Sequence, residues 1–182
     1  MNLKGKNAIV TGGGRGLGKA VALLLAKEGV NIGITGRNEE NLKSTVAELK
    51  GLGIQAFYSI FSMDEETAVQ NGIANLAKEL GGIDILINNA GIGDFGSIAE
   101  MPSETWEQVI KTNLFGVYYA AKAVYPFLKE KGEGDVVNVA STAGLKGGPN
   151  MSAYAASKAA VVSLSQSMMA EWRKENIRVI TL

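Results

Sequence analysis

Short apolar runs alternate with longer amphipathic segments along the 182 residues of this chain. Apolar runs bounded by glycine or polar residues are typical of strands buried on both faces, whereas apolar residues spaced by three and four are typical of helices. The pattern predicts strands at 7–11, 30–35, 54–61, 83–88, 135–141 and 177–182. It predicts helices at 17–27, 39–49, 65–80, 103–131 and 152–175, the fourth with a break near 113–116.

The alternating order of these elements indicates an α/β fold. Six buried strands separated by helices are expected to form a doubly wound parallel sheet of the Rossmann type, with right-handed crossovers. The chain contains no internal repeat, low-complexity tract or linker, and its length suits one hydrophobic core. Residues 1–182 are therefore predicted to form a single domain.

The charge balance argues against a polyanionic partner. Lys plus Arg and Asp plus Glu both number 18, so the formal net charge is zero. Proteins that bind nucleic acid or acidic membranes usually carry a basic excess. The chain also shows no signal-peptide apolar region and no stretch of transmembrane length. We expect a cytoplasmic protein with neither a nucleic-acid nor a membrane partner.

Two residue types are missing from the chain. It contains no cysteine, which excludes disulfides, thiolate nucleophiles and cysteine-ligated metals. It contains no histidine either, which excludes a Ser-His-Asp triad and histidine-ligated metals. No metal site is predicted, and any acid–base chemistry has to use carboxylates, lysine or tyrosine.

A glycine-rich turn joins the first predicted strand to the first predicted helix. Glycines let the backbone turn tightly and approach a pyrophosphate closely, and the helix N-terminus presents free amides to phosphate. The alternative is a glycine-rich turn without a ligand, because the spacing T-G-x-x-x-G-x-G differs from the G-x-G-x-x-G fingerprint. If a dinucleotide binds, the turn residues predicted to contact it are Gly12, Gly14, Arg15, Gly16, Leu17 and Gly18.

The end of the second predicted strand bears on the choice of cofactor. Sites for NAD usually place an acidic residue there, on the ribose hydroxyls. This chain has Gly36-Arg37 instead, and Arg15 in the glycine turn can approach the same place. A guanidinium pairs with a 2′-phosphate that a carboxylate would repel. The two arginines favour NADP(H), unless they are merely solvated surface residues.

A tyrosine and a lysine lie one helical turn apart in the last predicted helix. Tyr154 and Lys158 project from the same face because they are four residues apart. A neighbouring ammonium favours the phenolate, so a tyrosine of this kind can supply the proton that a reduced carbonyl needs. Ser141, at the end of the fifth predicted strand, can donate to the same carbonyl oxygen. Alone, such a pair is more often a packed aromatic ring beside a lysine.

Four motifs together resemble the short-chain dehydrogenase/reductase family. Tyr154-Ala-Ala-Ser-Lys158, with Ser141 thirteen positions earlier, is similar to the family's active-site signature. The segments 11–18 and Asn88-Asn89-Ala90-Gly91 are similar to its cofactor turn and its fourth-strand motif, and Asn113 to its catalytic asparagine at a helix break. The resemblance runs from about residue 5 to the end of the chain and implies a dinucleotide-binding domain that carries the catalytic residues.

The resemblance implies a role for each matching residue. Tyr154 would be the acid/base, and Lys158 would lower its pKa and hold the nicotinamide ribose. Ser141 would orient the carbonyl, and Asn113 would position a water in a proton relay to Lys158. The cofactor's adenosine side would be contacted by Asn89, Ala90 and Gly91, and adenine by Ser62 and Met63, where the family often has Asp-Val or Asn-Val.

Within the family the pattern is most similar to bacterial β-ketoacyl-acyl-carrier-protein reductases. This implies an NADP(H)-dependent ketoreductase, a small carbonyl substrate that can be an acyl-carrier-protein thioester, and a homodimer or homotetramer formed through the last two long helices. Two alternatives stay open: a non-catalytic nucleotide-binding module, and an alcohol or sugar dehydrogenase on the same scaffold. The loop 91–96 is expected to line the substrate cleft.

The chain ends earlier than the resemblance leads us to expect. Family members usually continue past the position of Leu182 with a substrate-covering helix and a seventh strand, so the expected fold lacks that strand and the covering segment.

Overall fold

The computed structural model describes residues 3–182, which form one parallel sheet with helices on both faces. The six strands are β1 Asn7–Thr11, β2 Asn31–Gly36, β3 Ala56–Ile60, β4 Ile85–Asn88, β5 Gly134–Asn138 and β6 Ile177–Thr181. The six α-helices are α1 Gly16–Lys27, α2 Glu39–Lys50, α3 Glu66–Leu80, α4 Ser103–Ile110, α5 Gly116–Lys131 and α6 Ser152–Trp172. The predicted doubly wound α/β fold is confirmed.

The strand order is β3-β2-β1-β4-β5-β6, and every neighbouring pair is parallel. The chain builds outward from β1 in one direction to β3, then returns to the other side of β1 with β4. The order therefore reverses between β1 and β4, and crevices for ligands open at the carboxyl ends of strands at such a switch point.

Successive strand residues supply two separate cores, one on each face of the sheet. Ile9 and Leu86 point to the side covered by α3 and α5, where they pack in one buried cluster. Their neighbours Val10 and Ile87 point to the opposite side and pack with residues of α1 and α2. Side chains alternate across a strand, so a continuous apolar run serves both faces. This is why the strands read as uninterrupted apolar segments in the sequence.

The helical region predicted at 103–131 differs from expectation at its centre. We predicted a break near 113–116, but a π-helical turn at Lys111–Phe115 joins α4 to α5 without interruption. Such turns insert an extra residue into a helix and often occur at functional sites. A Cβ on Gly116, just after the turn, would lie 2.7 Å from the Met63 Cβ, so only glycine fits beside that side chain.

The fifth strand is shorter than predicted, since it ends at Asn138 rather than at 141. Ser141 lies beyond it and begins a 3₁₀ turn at Thr142–Gly144. The last helix also ends earlier than predicted, at Trp172, and a 3₁₀ turn at Arg173–Glu175 follows it. Within residues 3–182, none of the helices has the length and apolar character that crossing a bilayer requires.

Candidate active site

A cavity of about 570 Å³ opens at the carboxyl ends of β1, β2, β3 and β4, beside the switch point. It is walled by the glycine turn after β1, the ends of β2 and β3, and the loop after β4. The structure brings together here every residue predicted to contact the cofactor apart from the catalytic pair. These are Gly12, Gly14, Arg15, Gly16, Leu17, Gly18, Arg37, Ser62, Met63, Asn89, Ala90 and Gly91.

The glycines of the turn are required at their positions for different physical reasons. Gly12 and Gly16 have φ of +68° and +55°, in the left-handed region that favours glycine. A Cβ on Gly16 would meet no atom within 4 Å, so a side chain there would project into open space beside the cavity. A Cβ on Gly18 would lie 2.4 Å from the Gly12 carbonyl oxygen, so that glycine lets the helix pack on the turn. Gly13, which was not among the predicted contacts, packs against Ile34 and does not line the cavity.

Asn89 and Thr11 hold the turn in place. The Asn89 Nδ2 donates to the Thr11 carbonyl at 2.9 Å, and the backbone amides of Asn89 and Ala90 both donate to the Thr11 hydroxyl at 3.0 Å. The Asn89 side chain is thus bonded to the protein's own backbone while it lines the cavity. Sequence reasoning missed the role of Thr11, although a threonine directly before the glycines was the available signal.

The two predicted arginines both lie on the cavity wall. Arg15 precedes α1 and Arg37 follows β2, and both are exposed to solvent. A carboxylate that the sequence reasoning missed lies nearby, that of Asp64. Gln108 donates to its Oδ2 at 2.7 Å, and this bond, a hydrogen bond from Ser62 and the charge of Arg37 lower the pKa of Asp64. Arg37 therefore lies close to a negatively charged carboxylate.

A second, smaller cleft of about 380 Å³ adjoins the cavity and contains the predicted acid/base pair. Leu17, Asn89, Gly91 and Ile92 line both spaces. The remaining walls of the cleft are formed by Gly93, Phe95, Val139, Ala140, Tyr154 and Lys158. The tyrosine and lysine therefore lie next to the space that the glycine turn encloses.

Lys158 is almost completely buried, with 4 % of its surface exposed. Its Nζ donates to the Val139 carbonyl at 2.7 Å and lies 5.8 Å from the centre of the Tyr154 ring. Burial lowers the pKa of Lys158, because the charged ammonium loses its hydration there. The structure confirms that the one-turn spacing puts the ammonium against the tyrosine ring.

Asn113 lies at the centre of a buried hydrogen-bond chain. Its Oδ1 accepts from the Ile92 amide at 2.8 Å, and its Nδ2 donates to the Ile92 carbonyl at 2.9 Å and to the Ser157 hydroxyl at 3.0 Å. The Ser157 hydroxyl in turn donates to the Tyr154 carbonyl at 2.7 Å. The Asn113 amide thus ties the loop after β4 to the second turn of α6. Ser157 was not predicted, and its place directly before Lys158 was the only signal in the sequence.

Ser141 caps a turn and lines neither of the two spaces. Its Oγ accepts a hydrogen bond from the Ala143 amide at 3.1 Å. The turn itself is held against α6, since a Cβ on Gly144 would lie 2.7 Å from the backbone carbon of Lys158. Of the four predicted catalytic residues, Tyr154 and Lys158 line the cleft, Asn113 is buried behind it and Ser141 lies at the start of the adjoining turn.

The family model for short chain dehydrogenases matches residues 6–182 of this chain. The chain is 35% identical to the 3-oxoacyl-[acyl-carrier-protein] reductase FabG of Thermotoga maritima over 179 residues, which are 98% of this chain and 73% of that protein. It is 33% identical to the gluconate 5-dehydrogenase of Gluconobacter oxydans over 178 residues, 98% of this chain and 70% of that protein. Among solved structures, NAD+-bound xylitol dehydrogenase superposes with a TM-score of 0.96 at 35% identity, covering 100% of this chain and 70% of that one.

The chain therefore belongs to the short-chain dehydrogenase family, an oxidoreductase family acting on CH–OH and C=O groups. The predicted resemblance, including the similarity to bacterial β-ketoacyl-acyl-carrier-protein reductases, is confirmed.

Proposed function

We propose that this chain is an NADP(H)-dependent ketoreductase similar to 3-oxoacyl-[acyl-carrier-protein] reductases. The observation that carries the proposal is the placement of Tyr154 and Lys158 in a cleft that shares four wall residues with a glycine-lined cavity. This arrangement puts a candidate proton donor beside the space in which a dinucleotide would bind. Turnover with a carbonyl substrate distinguishes this proposal from a non-catalytic nucleotide-binding module on the same fold.

The cavity fits a nicotinamide dinucleotide. The left-handed glycines and the open space at Gly16 leave room for a pyrophosphate, and the free amides at the start of α1 would favour its negative charge. Arg15 and Arg37 both line the cavity, and because guanidinium groups can pair with a 2′-phosphate, they support NADP(H) over NAD(H). Ser62 and Met63 form the wall expected for adenine, and Asn89, Ala90 and Gly91 the wall on the adenosine side.

The reduction needs one hydride and one proton. A nicotinamide dinucleotide held by the residues of the larger cavity would supply the hydride for the new C–H bond at the carbonyl carbon. The Tyr154 hydroxyl donates its proton to the oxygen, so that the alkoxide becomes an alcohol and the tyrosine is left as the phenolate. Lys158 stabilises that phenolate by its charge and holds the nicotinamide ribose. Ser141 lies in the turn that adjoins the cleft, so its expected role of orienting the carbonyl requires its hydroxyl to reach the substrate from that turn. Asn113 supports the site from behind the cleft, through its hydrogen bonds to Ile92 and Ser157.

The relatives support two substrate classes. The similarity to 3-oxoacyl-[acyl-carrier-protein] reductase supports a 3-oxoacyl thioester as substrate, with reduction as the direction. The similarity to gluconate 5-dehydrogenase and xylitol dehydrogenase supports a second candidate, an oxidoreductase of sugar acids or polyols. We favour the first because two arginines line the cofactor cavity, and cells generally use NADP(H) for reduction.

We also propose that the protein is a homodimer or homotetramer associating through α5 and α6. Aromatic and apolar side chains on the outer faces of these helices are exposed, among them Tyr118 at 45% and Met169 at 49%. The neighbouring Met168 is buried in the core, and Trp172 is partly buried and stacks on Tyr125 with ring centres 4.9 Å apart. Exposed apolar faces of this kind are typical of subunit interfaces.

Replacement of Tyr154 by phenylalanine tests the catalytic assignment. Tyr154→Phe removes the proton donor and keeps the ring, so we expect turnover to fall by at least about a hundredfold, the usual contribution of a general acid. NADPH oxidation with a 3-oxoacyl thioester is measured for both proteins, and NADPH binding is titrated by nicotinamide fluorescence. Binding is expected to remain. Tyr118→Phe is the matched control, because that ring lies outside both cavities. Unchanged turnover in Tyr154→Phe would reject the mechanism.

A further inference from the structure

The loop between β4 and α4 places an aromatic side chain directly beside the proposed proton donor. Phe95 lines the cleft, and its ring centre lies 5.9 Å from that of Tyr154 at an interplanar angle of 58°. This is the tilted contact that aromatic pairs prefer. Yet 59% of the Phe95 side chain is exposed. One part of the ring thus contacts the catalytic tyrosine, and the rest remains available to a ligand in the cleft.

The position of the Phe95 ring is constrained from two sides. A Cβ on Gly93 would lie 2.9 Å from the Phe95 Cζ, so this glycine provides the space that the ring occupies. The next residue, Gly96, donates its amide to the Asn150 carbonyl at 3.0 Å, which ties this loop to the one before α6. Because Asn150 lies just before the helix that carries Tyr154, this bond fixes the backbone beside Phe95 relative to the proton donor.

The other described walls of the cleft offer few groups that could bind a hydroxyl. Apart from Tyr154, the polar side chains there are Lys158 and Asn89; besides donating to the carbonyls of Val139 and Thr11, both are assigned to the cofactor in the proposed function. The remaining lining side chains are aliphatic or absent: Leu17, Gly91, Ile92, Gly93, Val139 and Ala140. A hydroxyl that loses its water in such a place without gaining a partner is strongly disfavoured. Asp94, the charged neighbour of Phe95, does not line the cleft.

From this geometry we infer that Phe95 is a specificity-determining residue, which selects carbonyl substrates whose group next to the carbonyl is apolar and disfavours polyhydroxylated ones. The inference rests on the proposed function, because it concerns the substrate of that same site. It separates the two classes that the relatives support, since an alkyl chain gains contact with the ring whereas a polyol loses hydrogen bonds against it.

The experiment compares an apolar and a polyhydroxylated carbonyl in the wild-type protein and in Phe95→Ala. Turnover is measured with NADPH and either 2-octanone or fructose. Equilibrium binding of the matching alcohols, 2-octanol and xylitol, is measured on the NADP+-loaded protein by saturation-transfer NMR. Ile98→Ala is the matched control, since Ile98 is a more exposed apolar residue of the same loop, at 76%, and does not line the cleft. Phe95→Leu tests whether an apolar side chain alone is sufficient.

In the wild-type protein we expect a preference for the apolar members of both pairs. Phe95→Ala is expected to reduce kcat/KM for 2-octanone and the affinity for 2-octanol by about tenfold, the scale of a lost apolar contact in a pocket. Fructose, xylitol and NADPH are expected to be unaffected, and Phe95→Leu to keep most of the preference. If kcat/KM and affinity fell equally for both substrate classes in Phe95→Ala, or did not fall at all, the inference would be overturned.

The binding measurement separates this inference from the proposed function. A wild-type protein that reduces neither ketone but binds 2-octanol in a Phe95-dependent way would reject the reductase and retain the specificity. A protein that reduces ketones with a preference unchanged in Phe95→Ala would retain the reductase and reject the role of Phe95.

Discussion

The chemical properties of single side chains in this protein depend on the backbone groups around them. Lys158 illustrates this, because its ammonium is buried, donates to the Val139 carbonyl and faces the Tyr154 ring. The sequence predicted the pairing of Lys158 with Tyr154 from their spacing. It did not predict the carbonyl acceptor, Val139, which directly follows β5 and lies beside the lysine because α6 packs next to that strand's end.

The buried ammonium predicts a pH dependence of stability. Burial lowers the pKa of Lys158 in the folded protein, whereas in the unfolded chain it returns to its ordinary value of 10.5. Between the lowered pKa and 10.5 the unfolded chain binds more protons than the folded one, so the free energy of unfolding rises with pH across this window. Below the lowered pKa both states carry the proton, and the cost of burying the charge is fully present.

Lys158→Met removes this dependence. Urea unfolding at several pH values from 7 to 10.5 is expected to show the wild-type protein gaining stability relative to the variant as pH rises. The exposed Lys146→Met serves as the control. A stability difference that stays constant with pH would contradict the prediction.

The position of Arg37 in the cavity wall predicts a preference for NADPH over NADH. Arg37→Asp replaces a cation in the cavity wall by a carboxylate, which repels a 2′-phosphate and can bind ribose hydroxyls. Because a hydrogen bond to a charged group contributes about 1.5–3 kcal/mol, we expect kcat/KM for NADPH to fall by about tenfold or more relative to NADH. Steady-state kinetics with both cofactors provide the measurement. Arg173→Asp, outside the cavity, is expected to leave the ratio unchanged, and an unaltered ratio in Arg37→Asp would reject the phosphate pocket.

At the scale of elements, the site depends on how helix ends and turns are joined. The π-helical turn at Lys111–Phe115 points Asn113 inward, where its amide bonds to Ile92 and to Ser157 on α6. The sequence predicted an irregularity near Asn113 but treated it as a break. The helix is continuous instead, because the buried Asn113 amide forms hydrogen bonds with the loop after β4, which is distant in the sequence.

The hydrogen bonds of Ser157 lead us to expect that this helix junction affects catalysis. Ser157→Ala leaves one buried Asn113 N–H without its acceptor, so we expect the free energy of unfolding to fall by about 1–3 kcal/mol. We also expect kcat to fall while the affinity for NADPH is kept, because the loss concerns the placement of the tyrosine. Urea unfolding, kcat and NADPH titration are measured together.

Ser167→Ala is the matched control on the same helix, since that serine is exposed. A Ser157→Ala protein with reduced stability and an unchanged kcat would show that the bridge is purely structural.

At the scale of the whole molecule, the strand order assembles the site. The glycine turn, Arg37, Ser62 and the loop after Asn88 are far apart in the chain, and they meet because β1 to β4 are parallel neighbours with their carboxyl ends at one edge. The two faces of the sheet carry separate cores, so this edge is open to ligands while both faces are covered.

The exposed apolar side chains on the outer faces of α5 and α6 predict that the protein forms a dimer or tetramer. Light scattering after size exclusion is expected to give the mass of a dimer or tetramer for the wild-type protein. Tyr118→Glu and Met169→Glu place charges on the proposed interface and are expected to shift the mass toward that of one chain. Leu24→Glu, on an exposed apolar position of α1, is the control and should keep the oligomer. Oligomers that persist in both interface variants would place the contact elsewhere.

The sequence by itself determined the class of fold, the order of its elements and the residues that converge on the cofactor cavity. These depend on local patterns: two-sided apolar strands, glycines at a turn, and a tyrosine and lysine one helical turn apart. Only the tertiary structure decided which groups lie around them. The acceptor of Lys158, the partners of Asn113, the carboxylate of Asp64 near Arg37 and the Phe95 ring against Tyr154 all join segments distant in the chain. Contacts of this kind follow from the packing of helices and loops on the sheet, and no periodicity in the sequence encodes them.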